Sequence, residues 1–567
     1  MDSLYTHSRY GFFVHYILCD CYYKDGTKPA TIDEAADNFD VPSFVADIKA
    51  MGVEYIIITS WHFRMLPLYP SAVTEAIRPG CSAKRDLLGE IIDAIKAAGV
   101  GVILYTHPRD GHDFVGQERI DSGWGEGWRV DGSGEHKSVP NPASFNYEKW
   151  NNYVQALYQE LLDRYGDRID GVYTDGGGPM RLASNWTVYY NEPVVDYLGI
   201  RRKIKSHKGL VMIQNGFGCE FNDDYVMPEG YFGYENTHPD IFTWPATEKA
   251  MAMQPFSGWA ASGKYGEDLC WLSGADIARF TIFEASCAAA GGMCWAAGPY
   301  CGGGWDVGVL ERMREAARHL SRLAEGWKDN VPSPSWPTVS GDTLDARGGV
   351  FAATSRDKRR EYIHVMRLPE DGMVKLPCPA DGVKLSAPRV VGCDAAVINF
   401  VQDGDGVRFH IIGRTDEIDT VVCFDRENDL TAPLWFWFNC TDKRIRYTSI
   451  LQWHYHNLGE GYNATEATHR MLGCYEYDTR TAQAGGARLD TWFEGSEVEV
   501  YASIDPSGGR ADFLVDDMLV ASLDSRAPLR KNRVRLATSG ELGGGVHTVS
   551  LIARDPGFEF DALRIRK

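Results

Sequence analysis

Short apolar segments alternate with amphipathic segments from residue 10 to about residue 330. This alternation constrains the fold more than any other feature of the sequence. The apolar runs are nearly continuous, as in residues 53–60 (VEYIIITS) and 100–106 (VGVILYT). Such strands are typical of a parallel sheet with helices on both faces. About eight units of this kind favour a (β/α)8 barrel. A doubly wound sheet is the alternative, but no G-x-G-x-x-G motif follows the first strand.

The pattern predicts individual elements within the barrel region. Strands are expected at residues 11–16, 53–60, 100–106, 169–175 and 210–215. Helices are expected at residues 42–51, 84–98, 147–165 and 191–207.

The pattern changes after about residue 335, where helical periodicity stops. Alternating strands separated by Gly, Asp and Pro turns follow, as in HTVSLIARD near the end of the chain. We therefore expect three domains, a (β/α)8 barrel over residues 1–332 and all-β sandwiches over residues 333–427 and 428–567.

Composition and charge exclude several classes of partner. The formal net charge is −20 and no basic run occurs, which argues against nucleic acid and against an anionic membrane surface. No run of 18 apolar residues is present for a membrane span. The 13 cysteines are dispersed, and no secretory leader pattern precedes the first strand, so we expect a cytoplasmic location.

No metal or other cofactor is expected. The chain has no C-x-x-C pair, and the spacing of Cys19 and Cys21 does not suit a zinc knuckle. His454 and His456 would share one face of a strand, but an obvious third ligand is lacking.

Polar residues follow the ends of the predicted barrel strands. Chemistry in such barrels takes place at the carboxyl ends of the strands, where the side chains meet at one mouth. A single histidine there is usually structural, but several histidines with a carboxylate are harder to explain in that way. The strand-end residues are His15, His62, His107, Asp175 and Asn215, followed in the next unit by Glu229 and Glu235.

Asp175 is the strongest catalytic candidate among these residues. It ends the strand IDGVYTD, and the three glycines after it leave room for a ligand. The structural alternative is an aspartate that caps the next helix. Retaining glycoside hydrolysis needs a second carboxylate about 5–5.5 Å from the nucleophile, and Glu229 or Glu235 could supply it.

Several motifs resemble those of glycoside hydrolase family 29, the α-L-fucosidases. Residues 9–16 (RYGFFVHY) are similar to the family's R-F-G-M-F-I-H-W, and residues 84–90 (KRDLLGE) are similar to K-R-D-L-V-G-E. The strand that ends in Asp175 matches the one that carries the family nucleophile, and Glu229 keeps the spacing of the family acid/base. The resemblance spans residues 9–330 and extends loosely to about 425. The last segment resembles the galactose-binding-like, carbohydrate-binding-module-like sandwiches appended to glycosidases.

The resemblance implies a retaining exo-glycoside hydrolase that releases a terminal sugar from an oligosaccharide or glycoconjugate by double displacement. Asp175 would be the nucleophile and Glu229 the acid/base. The oligomeric state, including a homo-oligomer, is left open. Substrate-binding side chains are expected at His15, Trp61, His62, His107, Tyr173, Asn215, Glu235 and Trp259.

The chain departs from the family pattern at positions of the sugar pocket. The family's paired histidines become His62 and Phe63, and the adjacent aspartate becomes Arg64. The arginine of the Asn-Asp-Arg motif falls on Phe217, and a tryptophan becomes Tyr173. Since a pocket that loses a hydroxyl partner discriminates against the old ligand, two alternatives to a fucosidase stay open. One is a relative specific for another sugar, and the other is an inactive glycan-binding protein.

Overall fold

The computed structural model divides the chain into two compact units. One comprises Met1–Phe242 with Lys249–Asp329, and the other comprises Thr243–Glu248 with Asn330–Lys567. The structure describes residues 7–126, 144–175, 195–214, 225–227, 243–245, 251–253, 258–287, 292–337, 343–345, 349–427, 435–440, 444–447, 452–457 and 478–566.

The first unit alternates strands with helices, as predicted. Its strands, with β7 of the second unit included to keep chain order, are β1 (Tyr10–Val14), β2 (Tyr55–Trp61), β3 (Gly101–Thr106), β4 (Gly171–Thr174), β5 (Val211–Gln214), β6 (Tyr225–Val226), β7 (Thr243–Pro245), β8 (Met251–Met253) and β9 (Met293–Ala297). Its helices are α1 (Ile32–Asp37), α2 (Val41–Met51), α3 (Ala72–Ile77), α4 (Leu87–Ala97), α5 (Gln117–Ser122), α6 (Tyr147–Tyr165), α7 (Tyr197–Ser206), α8 (Gly274–Cys287), α9 (Val309–Arg322) and α10 (Ala324–Trp327), with 3-10 turns at Leu18–Asp20 and Asp110–Asp113.

The segment KRDLLGE forms the start of helix α4. The Asp86 carboxylate accepts a hydrogen bond from the backbone N–H of Gly89 at 3.0 Å, which caps the helix and explains why it begins at residue 87 rather than 84. Arg85 donates to Glu90 at 3.0 Å and to the carbonyl oxygen of Ala36 at 2.7 Å. This motif therefore stabilises the start of helix α4 and its contact with the segment around Ala36.

The parallel sheet of the first unit follows chain order around a ring. Its strand order is β6-β5-β4-β3-β2-β1-β9-β8, so that the first strand pairs with both the second and the last. The ring centroids of Phe13 on β1 and Tyr173 on β4 lie 5.4 Å apart. Three strand spacings in a flat sheet would separate them by about 14 Å. The sheet therefore curls into a (β/α)8 barrel, and the doubly wound alternative is excluded.

Alternate residues of the strands fill the barrel interior. Because side chains of a strand point to opposite faces in turn, the residue two positions beyond an inward one also faces inward. His15 follows Phe13 in this way, and it meets the inward-facing Tyr105 with 5.2 Å between ring centroids. The interior cluster consists of Phe13, Tyr55, Ile57, Ile103, Tyr105, Tyr173, Val211, Ile213, Met227, Cys294 and Ala296, with Trp259 packed against it.

The second unit contains two all-β sandwiches with separate hydrophobic cores. The first sandwich pairs the sheets β10-β12-β13-β18-β15 and β14-β17-β16, and β11 pairs with β7. The second sandwich is built from β21-β22-β29-β24-β27, with β19 beside β29, and from β20-β23-β28-β25-β26. The strands are β10 (Asn330–Pro332), β11 (Thr343–Asp345), β12 (Val350–Ser355), β13 (Arg360–Val365), β14 (Met373–Leu376), β15 (Lys384–Val391), β16 (Ala396–Asp403), β17 (Gly406–Ile412), β18 (Thr420–Glu427), β19 (Trp435–Asn439), β20 (Arg446–Tyr447), β21 (Trp453–Asn457), β22 (Asp478–Ala482), β23 (Arg488–Gly495), β24 (Glu497–Ile504), β25 (Arg510–Val515), β26 (Met518–Asp524), β27 (Lys531–Thr538), β28 (Gly545–Ala553) and β29 (Glu559–Arg566).

The predicted fold class, a barrel followed by two sandwiches, is confirmed. The domain bounds at residues 332 and 427 stay predictions, although the last barrel residues and the last strand of the first sandwich fall close to them. Within the described part of the chain, no helix is both long enough and apolar enough to cross a membrane.

A stability test follows from Gly11 on β1. A Cβ atom at this position would overlap the Tyr55 ring inside the barrel, 2.7 Å from its hydroxyl oxygen. We expect Gly11→Ala to lower the free energy of unfolding by about 1–3 kcal/mol, because the tightly packed ring must move. The matched control is Gly404→Ala, where a Cβ meets no atom within 4 Å. Equal melting temperatures of the two variants would contradict this account of the barrel core.

Candidate active site

Four side chains at the ends of neighbouring strands meet at the barrel mouth. His15, His62, His107 and Asp175 directly follow strands β1 to β4 in that order. The ring centroids of His15 and His62 are 5.4 Å apart, and those of His62 and His107 are 5.0 Å apart with nearly parallel planes. The charge of Asp175 acts on all three imidazoles. The other strand-end candidates, namely Asn215, Glu229 and Glu235, lie outside the described residues.

Tyr105, in the barrel interior, holds the Asp175 side chain. The Tyr105 hydroxyl donates a short hydrogen bond to Oδ2 of Asp175. The backbone N–H of Asp175 also donates to the carbonyl oxygen of Thr106 at 2.8 Å, which extends the pairing of β3 with β4. One carboxylate is thereby placed at the inner rim of the barrel.

Tyr173 and Trp259 occupy different levels of the site. Tyr173 is buried, with its ring stacked on Tyr105 at 5.6 Å and its hydroxyl donating to the carbonyl oxygen of Met227 at 3.2 Å. It therefore supports the floor beneath Asp175. Trp259 is partly buried and lies 5.8 Å from His15 between ring centroids, at the level of the imidazoles.

The expectation that Trp61 contacts the substrate does not fit its position. The pairing of β2 with β3 shifts register between Thr59 and Trp61, so that Trp61 lies opposite Thr106. Its ring is fully buried and packs edge-on against Tyr158 of helix α6 at 5.4 Å. This irregularity turns Trp61 toward the helix layer, and we correct its role to that of a packing residue.

Asp110 joins the site although the sequence did not single it out. It begins the 3-10 turn after β3 and has no exposed surface. Its Oδ2 lies 2.6 Å from Nδ1 of His62, and its Oδ1 lies 3.0 Å from Nδ1 of His107. The available signal was an aspartate three residues after a strand-end histidine, in the segment HPRDGHD.

Burial and charge divide the imidazoles into two kinds. Burial and the neighbouring His62 together lower the pKa of His15 to about 3, although Asp175 and Asp110 raise it. Burial also lowers the pKa of His107, despite Asp110 and Asp175. For His62, burial lowers the pKa, but Asp110, Asp175 and Asp113 together outweigh it, so that the pKa is raised. For Asp110, burial raises the pKa, but His107, His62 and His112 together hold it below its usual value. His62 thus retains a proton more readily than the other two imidazoles.

The contact between Asp110 and His62 is a hydrogen bond. Asp110 belongs to two clusters of the residue types that bind metals, one with His62 and His107 and the other with His112 and Asp113. The 2.6 Å between Nδ1 of His62 and Oδ2 of Asp110 fits an N–H···O bond. Two ligand atoms that share one zinc ion at about 2.1 Å would lie roughly 3 Å apart or more. These two atoms are therefore arranged for a shared proton rather than for a shared ion.

A strained turn follows His62. Phe63, Arg64 and Met65 have φ angles of 20°, 59° and 46°, a left-handed conformation that costs roughly 1–2 kcal/mol per residue. Arg64 is held by Glu118, with 2.9 Å between Nη2 and Oε1. The turn stacks the Phe63 ring on His62 at 4.2 Å, so that an apolar face replaces a second imidazole at this position.

Comparisons with known proteins find similarity between the barrel and α-L-fucosidases. Residues 3–260 match the family model described as Alpha-L-fucosidase. The putative alpha-L-fucosidase 1 of Oryza sativa subsp. japonica is 26% identical over 145 residues, which make up 25% of this chain and 22% of the rice protein. The chain therefore matches less than a quarter of that relative's length.

Two solved structures share the fold at low identity. The alpha-L-fucosidase from Vibrio sp. strain EJY3 has a TM-score of 0.53 at 14% identity and covers 99% of this chain and 97% of its own. A GH29 alpha-L-fucosidase from Bacteroides thetaiotaomicron, trapped as a covalent intermediate with 2-fluoro-fucosyl fluoride, has a TM-score of 0.52 at 15% identity and covers 75% and 95%. At these identities the structural likeness establishes the fold.

The depressed pKa of His15 predicts a loss of stability in acid. The unfolded chain binds a proton at His15 below about pH 6.5, whereas the folded protein does so only near pH 3, so stability falls as pH falls between these values. At pH 5 the loss from this group amounts to about 2 kcal/mol relative to pH 7. Urea unfolding of wild type and His15→Gln at both pH values measures it. The variant should lose less stability on acidification, and equal losses would show that His15 does not stay neutral.

Proposed function

The barrel of this chain is a divergent member of the α-L-fucosidase family, and from this premise we propose that the protein is a retaining exo-glycoside hydrolase. It would release a terminal sugar from an oligosaccharide or glycoconjugate. The observation that carries the proposal is Asp175, a carboxylate held by Tyr105 at the barrel mouth and facing three imidazoles.

Asp175 would act as the nucleophile. Its carboxylate oxygen attacks the anomeric carbon while the bond from that carbon to the leaving oxygen breaks and an acid protonates the leaving oxygen. Water then attacks the glycosyl-enzyme, and the deprotonated acid takes up its proton. We assign the acid/base role to Glu229, with Glu235 as the alternative.

The wall of the mouth suits a neutral, hydroxyl-rich ligand. Neutral imidazoles such as those favoured at His15 and His107 can each donate and accept a hydrogen bond, as sugar hydroxyls require. Trp259 adds an aromatic face beside His15. Fucose is the first candidate for the sugar.

A different sugar is the second candidate, and the Phe63 position favours it. Phe63 stacks on His62 where the family has a second histidine, and Arg64 pairs with Glu118 where the family has an aspartate. A sugar with fewer hydroxyls on that side would fit this apolar wall better. We further propose that the enzyme works in a reducing, cytoplasmic environment, since the ten cysteines that the structure describes are all free thiols.

A panel of nitrophenyl glycosides tests the activity and Asp175 together. We expect turnover of one α-linked deoxy or closely related sugar, with fucose tested first. Asp175→Asn should lower kcat by about a thousandfold or more, because an amide is a poor nucleophile. Asp196→Asn, at the cap of helix α7, is the matched control and should keep its activity. Turnover by Asp175→Asn at the wild-type rate would refute the role of Asp175.

Azide rescue separates the nucleophile from the acid/base. With an activated aryl glycoside, Asp175→Gly plus azide should yield a glycosyl azide of inverted configuration, because azide attacks in place of the nucleophile. Glu229→Ala plus azide should yield the retained anomer, because azide replaces water in the second step. If Glu235→Ala shows this rescue and Glu229→Ala behaves like wild type, the acid/base role belongs to Glu235.

A further inference from the structure

We propose that Asp110 is a positioning residue, a single buried carboxylate that holds His62 and His107 side by side and fixes which ring nitrogen each presents to the substrate. This inference rests on the proposed glycosidase function for its catalytic consequence. Its geometric content can be tested without turnover.

The two carboxylate oxygens of Asp110 face histidines that follow two different strands. Oδ2 accepts a hydrogen bond from Nδ1 of His62 at 2.6 Å, and Oδ1 lies 3.0 Å from Nδ1 of His107. A proton on Nδ1 of His107 removes the repulsion that two lone pairs would otherwise have at that distance. The backbone N–H of Arg109 donates to the same nitrogen at 3.3 Å, which is the contact made by the other tautomer, with Nδ1 unprotonated. Both imidazoles therefore turn Nδ1 to the carboxylate, which leaves Nε2 of each for another partner.

The shared carboxylate also explains how the rings are oriented. The imidazoles of His62 and His107 are 5.0 Å apart with 12° between their planes. They come from separate strands, so nothing in their sequence spacing makes them parallel. One planar carboxylate whose two oxygens face the two Nδ1 atoms favours such an arrangement.

Asp110 is itself rigidly supported. It is fully buried in the 3-10 turn Asp110–Asp113, and the next residue, Gly111, approaches Trp124 so closely that a Cβ would lie 2.7 Å from Cγ of the indole. Trp124 in turn packs on Trp150 of helix α6 at 4.8 Å. A carboxylate on such a support can hold its partners within the narrow tolerance that a binding site requires.

Replacing Asp110 with asparagine tests the arrangement without changing its shape. An amide accepts at one end only, so it can serve one Nδ1–H but must turn its own N–H₂ group to the other ring. We expect Asp110→Asn to lower kcat/KM by about 10- to 100-fold, as for other partners that orient site histidines. Asp113→Asn is the matched control, since this carboxylate on the same turn lies 3.0 Å from Nε2 of His112. It should keep near wild-type activity.

The pH dependence of kcat/KM separates the two possible roles of Asp110, because a purely structural role would not shift it. The groups that face His62 are His15, His107, Asp110, Asp113 and Asp175. Asp110 keeps the pKa of His62 above its usual value against the effect of burial. In Asp110→Asn the limb of the profile that reports His62 should therefore shift to lower pH, whereas Asp113→Asn, which removes a smaller contribution to the pKa of His62, should shift it less.

Nitrogen NMR of ¹⁵N-histidine-labelled full-length protein tests the geometry in the wild type itself. We expect both His62 and His107 to show a protonated Nδ1 and, when neutral, an unprotonated Nε2, with signals assigned through His62→Gln and His107→Gln. Asp110→Asn should change the pattern of at least one ring. A neutral wild-type ring that is protonated at Nε2, at either His62 or His107, would overturn the proposal, even if the variant fails to fold.

A double variant decides whether Asp110 acts through the histidines. In a His62→Gln, His107→Gln background, adding Asp110→Asn should cost less than threefold further in kcat/KM, because the rings it orients are gone. A full additional loss would refute the positioning role. If the wild type hydrolyses no glycoside, the proposed function fails, while the NMR comparison still decides the role of Asp110.

Discussion

The curling of the parallel sheet into a barrel is the constraint on which the rest of the site depends. Strand β1 pairs in register with β2 on one side and β9 on the other, and Phe13 from its middle reaches Tyr105 and Tyr173 across the interior. Because every second side chain of a strand faces inward, the residues at the strand ends also converge at the mouth. His15 lies one inward step above Phe13 and meets His62 there. In a flat sheet the same residues would lie along an edge, too far apart to form one site.

The mouth that results is crowded with ionisable groups, and burial makes their pairing decisive. A carboxylate with no exposed surface is costly unless charged or hydrogen-bonding groups surround it. Asp110 lies beside the imidazoles of His62 and His107. Asp175 accepts a hydrogen bond from the Tyr105 hydroxyl and interacts electrostatically with His62. The two carboxylates therefore lie in different surroundings, and we propose that Asp110 orients the imidazoles while Asp175 reacts.

Much of this arrangement could be read from the sequence. The buried strand runs predicted the barrel, and the strand-end positions predicted that His15, His62, His107 and Asp175 would meet. Trp61 could not be placed, because an irregularity in the β2–β3 register reverses its direction and no residue type marks that shift. Asp110 was missed because an aspartate in a polar turn is ordinary, and only burial reveals its function. The roles of Glu229, Glu235 and Asn215 stay predictions, since these residues lie outside the described part of the chain.

The central claim is that Asp175 forms a covalent bond to the sugar, and mechanism-based trapping tests it most directly. A 2-deoxy-2-fluoro-fucosyl fluoride slows the second step more than the first, so that the glycosyl-enzyme accumulates. Intact mass followed by peptide mapping should then show one added fluoroglycosyl group, located on Asp175. An adduct on a different carboxylate would contradict the account. So would turnover of natural glycosides with no adduct on Asp175 under conditions in which the fluoride inactivates the enzyme.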